Sequence, residues 1–282
     1  MLRHKGKLAL VLVGALLLFF LTGKYWNGRD KLDLVVPTSS GDVLIVSFDP
    51  SLDKITTLRI PGETQVEVSR NLGIWRIKNV WQLGKQEKIG SKLLSETVVK
   101  NFSLPVYLWY KNSNLEPENS CWRLLGETNL GWKDRLKLTS FCFRVPEVDR
   151  NYLDLGKTQV LKKARLTDGE EGFLITQKNI DSLAIYFSET LILQKGTKIA
   201  LKDYTGQPLI SEKVGQTLQI LGGKVVVVGK ENKDENLDCE VWGKEKKVVA
   251  KIARIYSCSS HLDSSLGFDV EFRFGQKFAE RF

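Results

Sequence analysis

Leu218-Gln-Ile-Leu-Gly-Gly-Lys-Val-Val-Val-Val-Gly229 joins the end of one regular element to the start of the next. Upstream of it, Ile210, Val214, Leu218 and Leu221 recur at i, i+4, i+8 and i+11, the apolar stripe of an amphipathic helix. Gly222-Gly223 supplies the stop, because glycine ends a helix in the left-handed region without a Cβ clash. Lys224 to Val228 is then a strand, and its unbroken apolar run is the pattern expected of a strand covered on both faces.

The same alternation extends in both directions. Lys198-Ile-Ala-Leu201 reads as a short strand before the loop Tyr204-Thr-Gly-Gln-Pro208. After a charged loop, Lys230 to Asn236, Leu237-Asp-Cys-Glu-Val-Trp242 reads as another strand. Val248, Val249, Ile252, Ala253 and Tyr256 form a second helical stripe. Phe268-Asp-Val-Glu-Phe-Arg-Phe274 alternates strictly and is expected to close the module with one wet face. The result is strand–helix–strand twice over, a βαββαβ unit of about 85 residues, assigned to 195–282.

That layout places two cysteines together. A strand and the helix after it run antiparallel, so the strand start near Cys239 lies beside the helix end near Cys258. The four cysteines fall into two sequence-near pairs, and the expected bridges are Cys121–Cys142 and Cys239–Cys258. Four reduced, buried thiols are the alternative. None of the cysteines forms a C-x-x-C knuckle and the chain has two histidines, His4 and His261, so no zinc site is expected.

Residues 28–194 are assigned to a second α/β domain. Asp42-Val-Leu-Ile-Val-Ser-Phe48 and Lys54-Ile-Thr-Thr-Leu-Arg-Ile60 flank the turn chemistry of Asp49-Pro50-Ser51-Leu52-Asp53, which predicts a β-hairpin. Gln65 to Val68 is a third short strand. Trp75 to Trp81 and Lys88 to Asn101 have helical spacing, Pro105 to Trp109 reads as a strand, and 111–120 as a polar loop. The region 121–145 is ambiguous between helix and strand. Arg165 to Gly172 is a turn-rich loop, and Thr176 to Leu193 again looks helical.

At the N-terminus, Leu8 to Gly23 carries no charged side chain. At about 1.5 Å per residue this run covers roughly 24 Å, somewhat less than the roughly 30 Å hydrocarbon layer. Lys7 and Lys24 can snorkel, and Tyr25 and Trp26 suit the headgroup level. Arg3, Lys5 and Lys7 precede the run, which sets the N-terminus in the cytoplasm and the rest of the chain outside. Residues 1–27 are therefore expected to be a cytoplasmic tail and a single-pass anchor, with 24–33 a short linker. A cleaved signal peptide is the alternative, but Leu21 to Trp26 lacks an Ala-x-Ala site.

Net charge is +9, of which the first 30 residues (Arg3, Lys5, Lys7, Lys24 and Arg29 against Asp30) hold +4. The remainder is mild. It suits a surface near anionic lipid or a polyanionic wall. No basic run or nucleic-acid-reading motif is present, so no nucleic-acid partner is expected. No phosphate-cradling P-loop motif is present either.

The C-terminal module, through Ala200-Leu-Lys-Asp-Tyr-Thr-Gly206, Leu218 to Gly229 and Phe268 to Phe278, resembles the C-terminal domain of LytR/CpsA/Psr-type cell-envelope proteins. Gly41-Asp-Val-Leu-Ile-Val-Ser-Phe-Asp-Pro50 followed by Ile55 to Val66 is similar to the catalytic domain of that family. The resemblance implies an envelope protein acting on polyprenyl-pyrophosphate-linked glycopolymers. Working members hold the pyrophosphate with arginines and use acidic residues with Mg²⁺ to move the polymer onto peptidoglycan.

Carried over residue by residue, the resemblance sets Asp42 at the first acidic position. The family's Pro-Arg-Asp reads Pro61-Gly62-Glu63 here. Leu161 to Gly172 is similar to the family's arginine-rich stretch, with Arg165 matching one arginine, Phe173 and Thr176 replacing later ones, and Gln177 kept. A charge-assisted hydrogen bond is worth about 1.5–3 kcal/mol, so losing three arginines removes on the order of 5–10 kcal/mol of pyrophosphate contacts. The expectation is a divergent, non-catalytic domain that binds a wall polymer, a lipid-linked precursor or an envelope partner. The alternative is an active phosphotransferase, which would need Mg²⁺; otherwise no cofactor or metal is expected.

Asp42 and Glu63 are the catalytic candidates, against exposed surface acids as the plainer reading. Arg59 and Arg165 are the ligand-binding candidates, with Arg70 and Arg76 near enough to supply replacement charge. Trp109, Trp122 and Trp132 either line a groove for a prenyl chain or belong to the core.

Overall fold

The computed structural model describes residue 14 and residues 26–111, 126–207 and 209–282. Two sheets organise these residues. The first is six-stranded, in the order β7-β6-β1-β2-β3-β8. Its strands are β1 (Leu32–Pro37), β2 (Val43–Asp49), β3 (Lys54–Ile60), β6 (Leu108–Lys111), β7 (Glu127–Thr128) and β8 (Arg150–Asp154). β2 is antiparallel to both β1 and β3, whereas β6 and β8 join in parallel.

β2 is buried along its whole length. Successive side chains leave a strand on opposite faces. Val43 and Ile45 therefore join the cluster under the helices Ile77–Gln86 and Lys92–Phe102, while Leu44, Val46 and Phe48 join Leu138 and Phe141 of the helix Trp132–Arg144. Helices thus cover both faces, which explains why β2 reads as a continuous apolar run. Two small hairpins flank this sheet: β4 (Gln65–Glu67) with β5 (Ile74–Arg76), and β9 (Leu161–Arg165) with β10 (Glu171–Ile175).

The second sheet has the order β12-β11-β15-β13-β14. It comprises β11 (Lys198–Asp203), β12 (Lys224–Lys230), β13 (Cys239–Gly243), β14 (Ser259–Leu262) and β15 (Val270–Phe274). The helices Ile210–Ile220 and Lys246–Tyr256 bury the two predicted stripes. One hydrophobic cluster runs from Val35 and Ile45 of the first sheet through to Leu201, Val241 and Phe272 of the second.

Several expectations are corrected. The residues read as a linker enter the fold directly: Trp26 and Lys31 are buried and β1 begins at Leu32. β12 is an edge strand paired with β11, and Val226, Val227 and Val228 are 46%, 43% and 51% exposed rather than covered. The last strand, expected to have a wet face, lies at the centre between β11 and β13, with Glu271 buried. β14 and the helix Gln276–Arg281 extend the module beyond βαββαβ; Ser259-Ser-His-Leu262 has none of the β-branched residues that mark strands. The predicted helix over 176–193 is broken into a 3₁₀ segment (Gln177–Leu183) and two short helices, Ala184–Phe187 and Thr190–Lys195.

Cys239 and Cys258 form a disulfide, with Cα atoms 5.0 Å apart. Cys142 is also disulfide-bonded, while Cys121 lies outside the described residues. Apart from Gly14, the run Leu8–Gly23 lies outside them too. Among the described residues no helix is long and apolar enough to cross a membrane.

Candidate functional site

Asp42, Arg59 and Asp154 meet at one end of the first sheet. The β2–β3 register places Arg59 beside the start of β2, and the β3–β8 register pairs Arg59 with Asp154. Arg59 Nε donates to Asp42 Oδ2 at 2.8 Å, and Arg59 Nη1 donates to Asp154 Oδ2 at 2.7 Å. The other Asp42 oxygen accepts the backbone N–H of Gly62 at 2.8 Å. The hydrogen bond to Asp42, then the charges of both acids, raise the Arg59 guanidinium above its ordinary value.

Gly62 is the position at which the sequence resemblance leads one to expect an arginine. A Cβ there would lie 2.7 Å from the Gly41 carbonyl oxygen and 3.2 Å from the Lys78 Cβ. The backbone of 61–62 and that of Gly41 therefore approach too closely for any side chain, and this closeness is what lets Gly62 reach Asp42.

Glu63 continues from that contact. Its carboxylate accepts from Arg76 Nη1 and, at 2.5 Å, from Lys78 Nζ; Arg76 Nε also donates to Asp168 Oδ2 at 2.8 Å. The Lys78 ammonium first and the Arg76 guanidinium second hold Glu63 below the usual carboxylate range. Arg76 does the same to Asp168, and the two acids push Arg76 upward. Glu63 and Asp168 are 41% and 47% exposed in their side chains, so these pairs are strongly screened by solvent.

Arg165 lies on β9, and its Nε donates to the Gly169 carbonyl at 2.6 Å across the hairpin turn. With Lys163, Phe173 and Glu63 it lines a cleft of about 680 Å³. The hairpin is held there by the Phe173 N–H, which donates to the Glu63 carbonyl at 3.1 Å. Arg165 is thus brought to the cleft beside Glu63. Arg70 goes elsewhere: it makes a two-pronged pair with Glu96 at 2.8 and 3.0 Å. Thr176 spends its hydroxyl on the Val160 carbonyl, and Phe173 packs against the core, so neither restores the charge of an arginine.

Trp109 packs edge-on against Trp81 at 5.4 Å between ring centroids, Trp132 is exposed at the start of its helix, and Trp122 lies outside the described residues. Among the described residues no three metal-ligating side chains come together.

Sequence reasoning missed Asp154, Lys78 and Asp168. Asp154 ends a polar strand, Arg150-Asn-Tyr-Leu-Asp154, that carries no hydrophobic period. The one available signal was Asp154-Leu-Gly156, an acid that accepts the Gly156 N–H two residues on, at 2.9 Å.

No family model matches the chain, and no curated protein matches it. Among solved structures, Bacillus subtilis TagT is 12% identical, covering 57% of this chain and 90% of that chain at a TM-score of 0.43. B. subtilis TagV is 10% identical, covering 55% and 94% at 0.42. The LytR-CPS2A-psr family protein YwtF (TagT) of the same organism, with bound octaprenyl pyrophosphate lipid, is 14% identical and covers 57% and 90% at 0.42.

Proposed function

We propose that this chain is a membrane-anchored, extracytoplasmic cell-envelope protein of LytR/CpsA/Psr type that binds a wall polymer or a lipid-linked precursor without transferring it. The observation that carries the reading is the internal neutralisation of the site. Arg59, Arg76 and Lys78 are shared among Asp42, Asp154, Glu63 and Asp168, three cations among four carboxylates. A pyrophosphate arriving at Asp42 meets a net negative cluster whose guanidinium is already bound on two sides. To be gripped by Arg59, it must displace a carboxylate and give back charge-assisted hydrogen bonds of about 1.5–3 kcal/mol each. Transition-state stabilisation requires donors already aimed at the developing charge, and donors committed to neighbouring acids do not supply it. The cleft beside Glu63 fits binding better: its lining includes Lys163, which makes no ion pair among the described residues, and Arg165, bound only to a carbonyl.

The assay is Mg²⁺-dependent release of phosphate from a polyprenyl pyrophosphate glycopolymer by the full chain in detergent, together with direct binding of the same lipid. Binding without turnover is expected, and Lys163→Ala with Arg165→Ala should weaken it tenfold or more. Turnover that Asp42→Ala abolishes would establish the phosphotransferase instead.

A further inference from the structure

A second cavity, of about 460 Å³, lies where the chain enters the fold and shares no lining residue with the Glu63–Arg165 cleft. One wall is the entry segment from Trp26 to Lys31; the opposite wall is the face of the helix Lys246–Tyr256 that carries Lys246, Lys247 and Lys251. Tyr107, Leu191 and Val248 give the remaining wall an apolar character.

Charge is graded through this cavity. At its depth, Lys31 Nζ pairs with Asp49 at 3.0 Å, and Lys251 Nζ lies 3.3 Å from Glu189 Oε2 and donates to the Lys31 carbonyl at 2.8 Å. These groups are buried and mutually held, so they form a fixed floor. At the rim the balance is positive. Lys246 makes no ion pair among the described residues, Lys137 donates only to the Trp26 carbonyl at 3.0 Å, and Lys247 reaches Asp30 at a loose 3.8 Å. Glu189 lines the cavity, and its buried Oε2, just beneath the lining, has no aligned hydrogen-bond donor among the described residues beyond the neighbouring ammonium. A rim of lysines above a buried acceptor and an aromatic wall is complementary to an anion that also carries hydroxyl donors.

The place of the cavity says where such an anion comes from. Trp26 is the third residue after Gly23, the last of the uncharged run. Three residues reach at most about 10 Å whatever their conformation, so a chain leaving a bilayer at Gly23 keeps this cavity near headgroup depth. Lysines held near an anionic leaflet attract it and gain roughly a further fivefold in binding for each one.

We propose that this cavity seats the phosphate-and-polyol headgroup of an anionic membrane phospholipid, with Lys137, Lys246 and Lys247 on the phosphate and Glu189 accepting a headgroup hydroxyl. The proposal rests on the anchored reading given above, but uses none of the Asp42–Arg59 site. Seated there, the lipid would clamp the second sheet's helix to the entry segment and fix the orientation of both sheets against the membrane.

The test titrates the full chain in neutral detergent with dihexanoyl phosphatidylglycerol, dihexanoyl phosphatidylcholine and inorganic phosphate, read by calorimetry. Phosphatidylglycerol is expected to bind at least tenfold more tightly than either of the others. Lys246→Glu with Lys247→Glu, both exposed and in the first helical turn where acids are favoured, should lower that affinity tenfold or more with an unchanged melting temperature. Lys137→Gln should lower it about threefold, and Arg59→Ala should leave it unchanged. Equal affinity for phosphatidylcholine, equal affinity for free phosphate, or full affinity in the Lys246/Lys247 variant would each overturn the proposal. Failure of the pyrophosphate reading would register separately, in the Lys163/Arg165 series.

Discussion

Replacing Cys239 and Cys258 together by serine should cost about 3 kcal/mol of stability. The bridge spans a sequence separation of 19 and so closes a loop of about 20 residues. In the chain-entropy description that loop removes about 11 cal/mol/K from the unfolded ensemble, or about 3 kcal/mol at 25 °C. The loop contains β13, the helix Lys246–Tyr256 and the turn into β14, and β14 pairs with β13. Losing the tether therefore releases an edge strand and the C-terminal end of a helix together. For a chain of this size, 3 kcal/mol corresponds to a fall in melting temperature of roughly 6–12 °C. Urea unfolding of the wild type, the reduced wild type and the double serine variant measures it. The reduced wild type should lose at least as much as the serine variant, since reduction also opens the bridge at Cys142. A loss below about 1 kcal/mol in both forms would mean that the loop is already ordered when unfolded, and would refute the entropic argument. The result bears on location as well: a domain that depends on this bridge gains its full stability only in an oxidising compartment.

Other outcomes follow from the charge network. Arg59→Met leaves Asp42 and Asp154 facing each other, and should destabilise by on the order of 1–2 kcal/mol, less than a fully buried pair because Arg59 is 29% exposed; chemical denaturation at pH 7 reads this. Glu63 and Asp168 are held below their unfolded values, so their contribution is present above the usual carboxylate range and is lost as pH falls through the folded values. Glu63→Gln should flatten the acid limb of the stability–pH curve. Asp33 behaves in the opposite sense. Burial pushes its carboxyl up more than Lys251, Lys31 and the Ser47 hydroxyl pull it down. Its contribution is therefore greatest below the unfolded value and declines as pH rises through the folded one, so Asp33→Asn should gain on the wild type as pH rises above the usual carboxylate range. A gap that narrowed with pH would contradict this. Gly62→Arg should destabilise by more than 1 kcal/mol, because its Cβ would press on the Gly41 carbonyl.

Strong periodicity made much of the fold legible. The stripes Ile210–Leu221 and Val248–Tyr256 are helices whose apolar faces are buried, and the β2–β3 hairpin lies where Asp49 to Asp53 predicted a turn. The antiparallel relation of a strand to its following helix sufficed to pair Cys239 with Cys258. What failed was anything set by neighbours rather than by local pattern. Four valines read as a buried strand, yet β12 is an edge, because burial depends on which strand pairs beside it. Glu271 looked like the wet side of an alternating strand but is buried beside Lys202 and Arg273 at the sheet centre. The candidate site was half legible for the same reason. Asp42, Arg59 and Glu63 lie within one hairpin and its exit, whereas Asp154 and Asp168 arrive from strands and turns about a hundred residues away.

The contacts around Gly62 form one structural unit rather than several. Gly62 carries no side chain, so the strand exit can fold down until its N–H reaches Asp42. That contact engages one carboxylate oxygen, and Arg59, three residues earlier and on the same sheet end, engages the other. Any side chain at 62 would press on the Gly41 carbonyl, whereas glycine lets the exit lie close beside it. Asp154 then balances the second prong of Arg59, and Glu63, turned outward past the tight bend, collects Arg76 and Lys78 in place of a ligand. Each substitution is suited to the others. Asp42 and Glu63 are therefore both compensated, although the four carboxylates share three cations: Arg59 serves Asp42 and Asp154, and Arg76 serves Glu63 and Asp168.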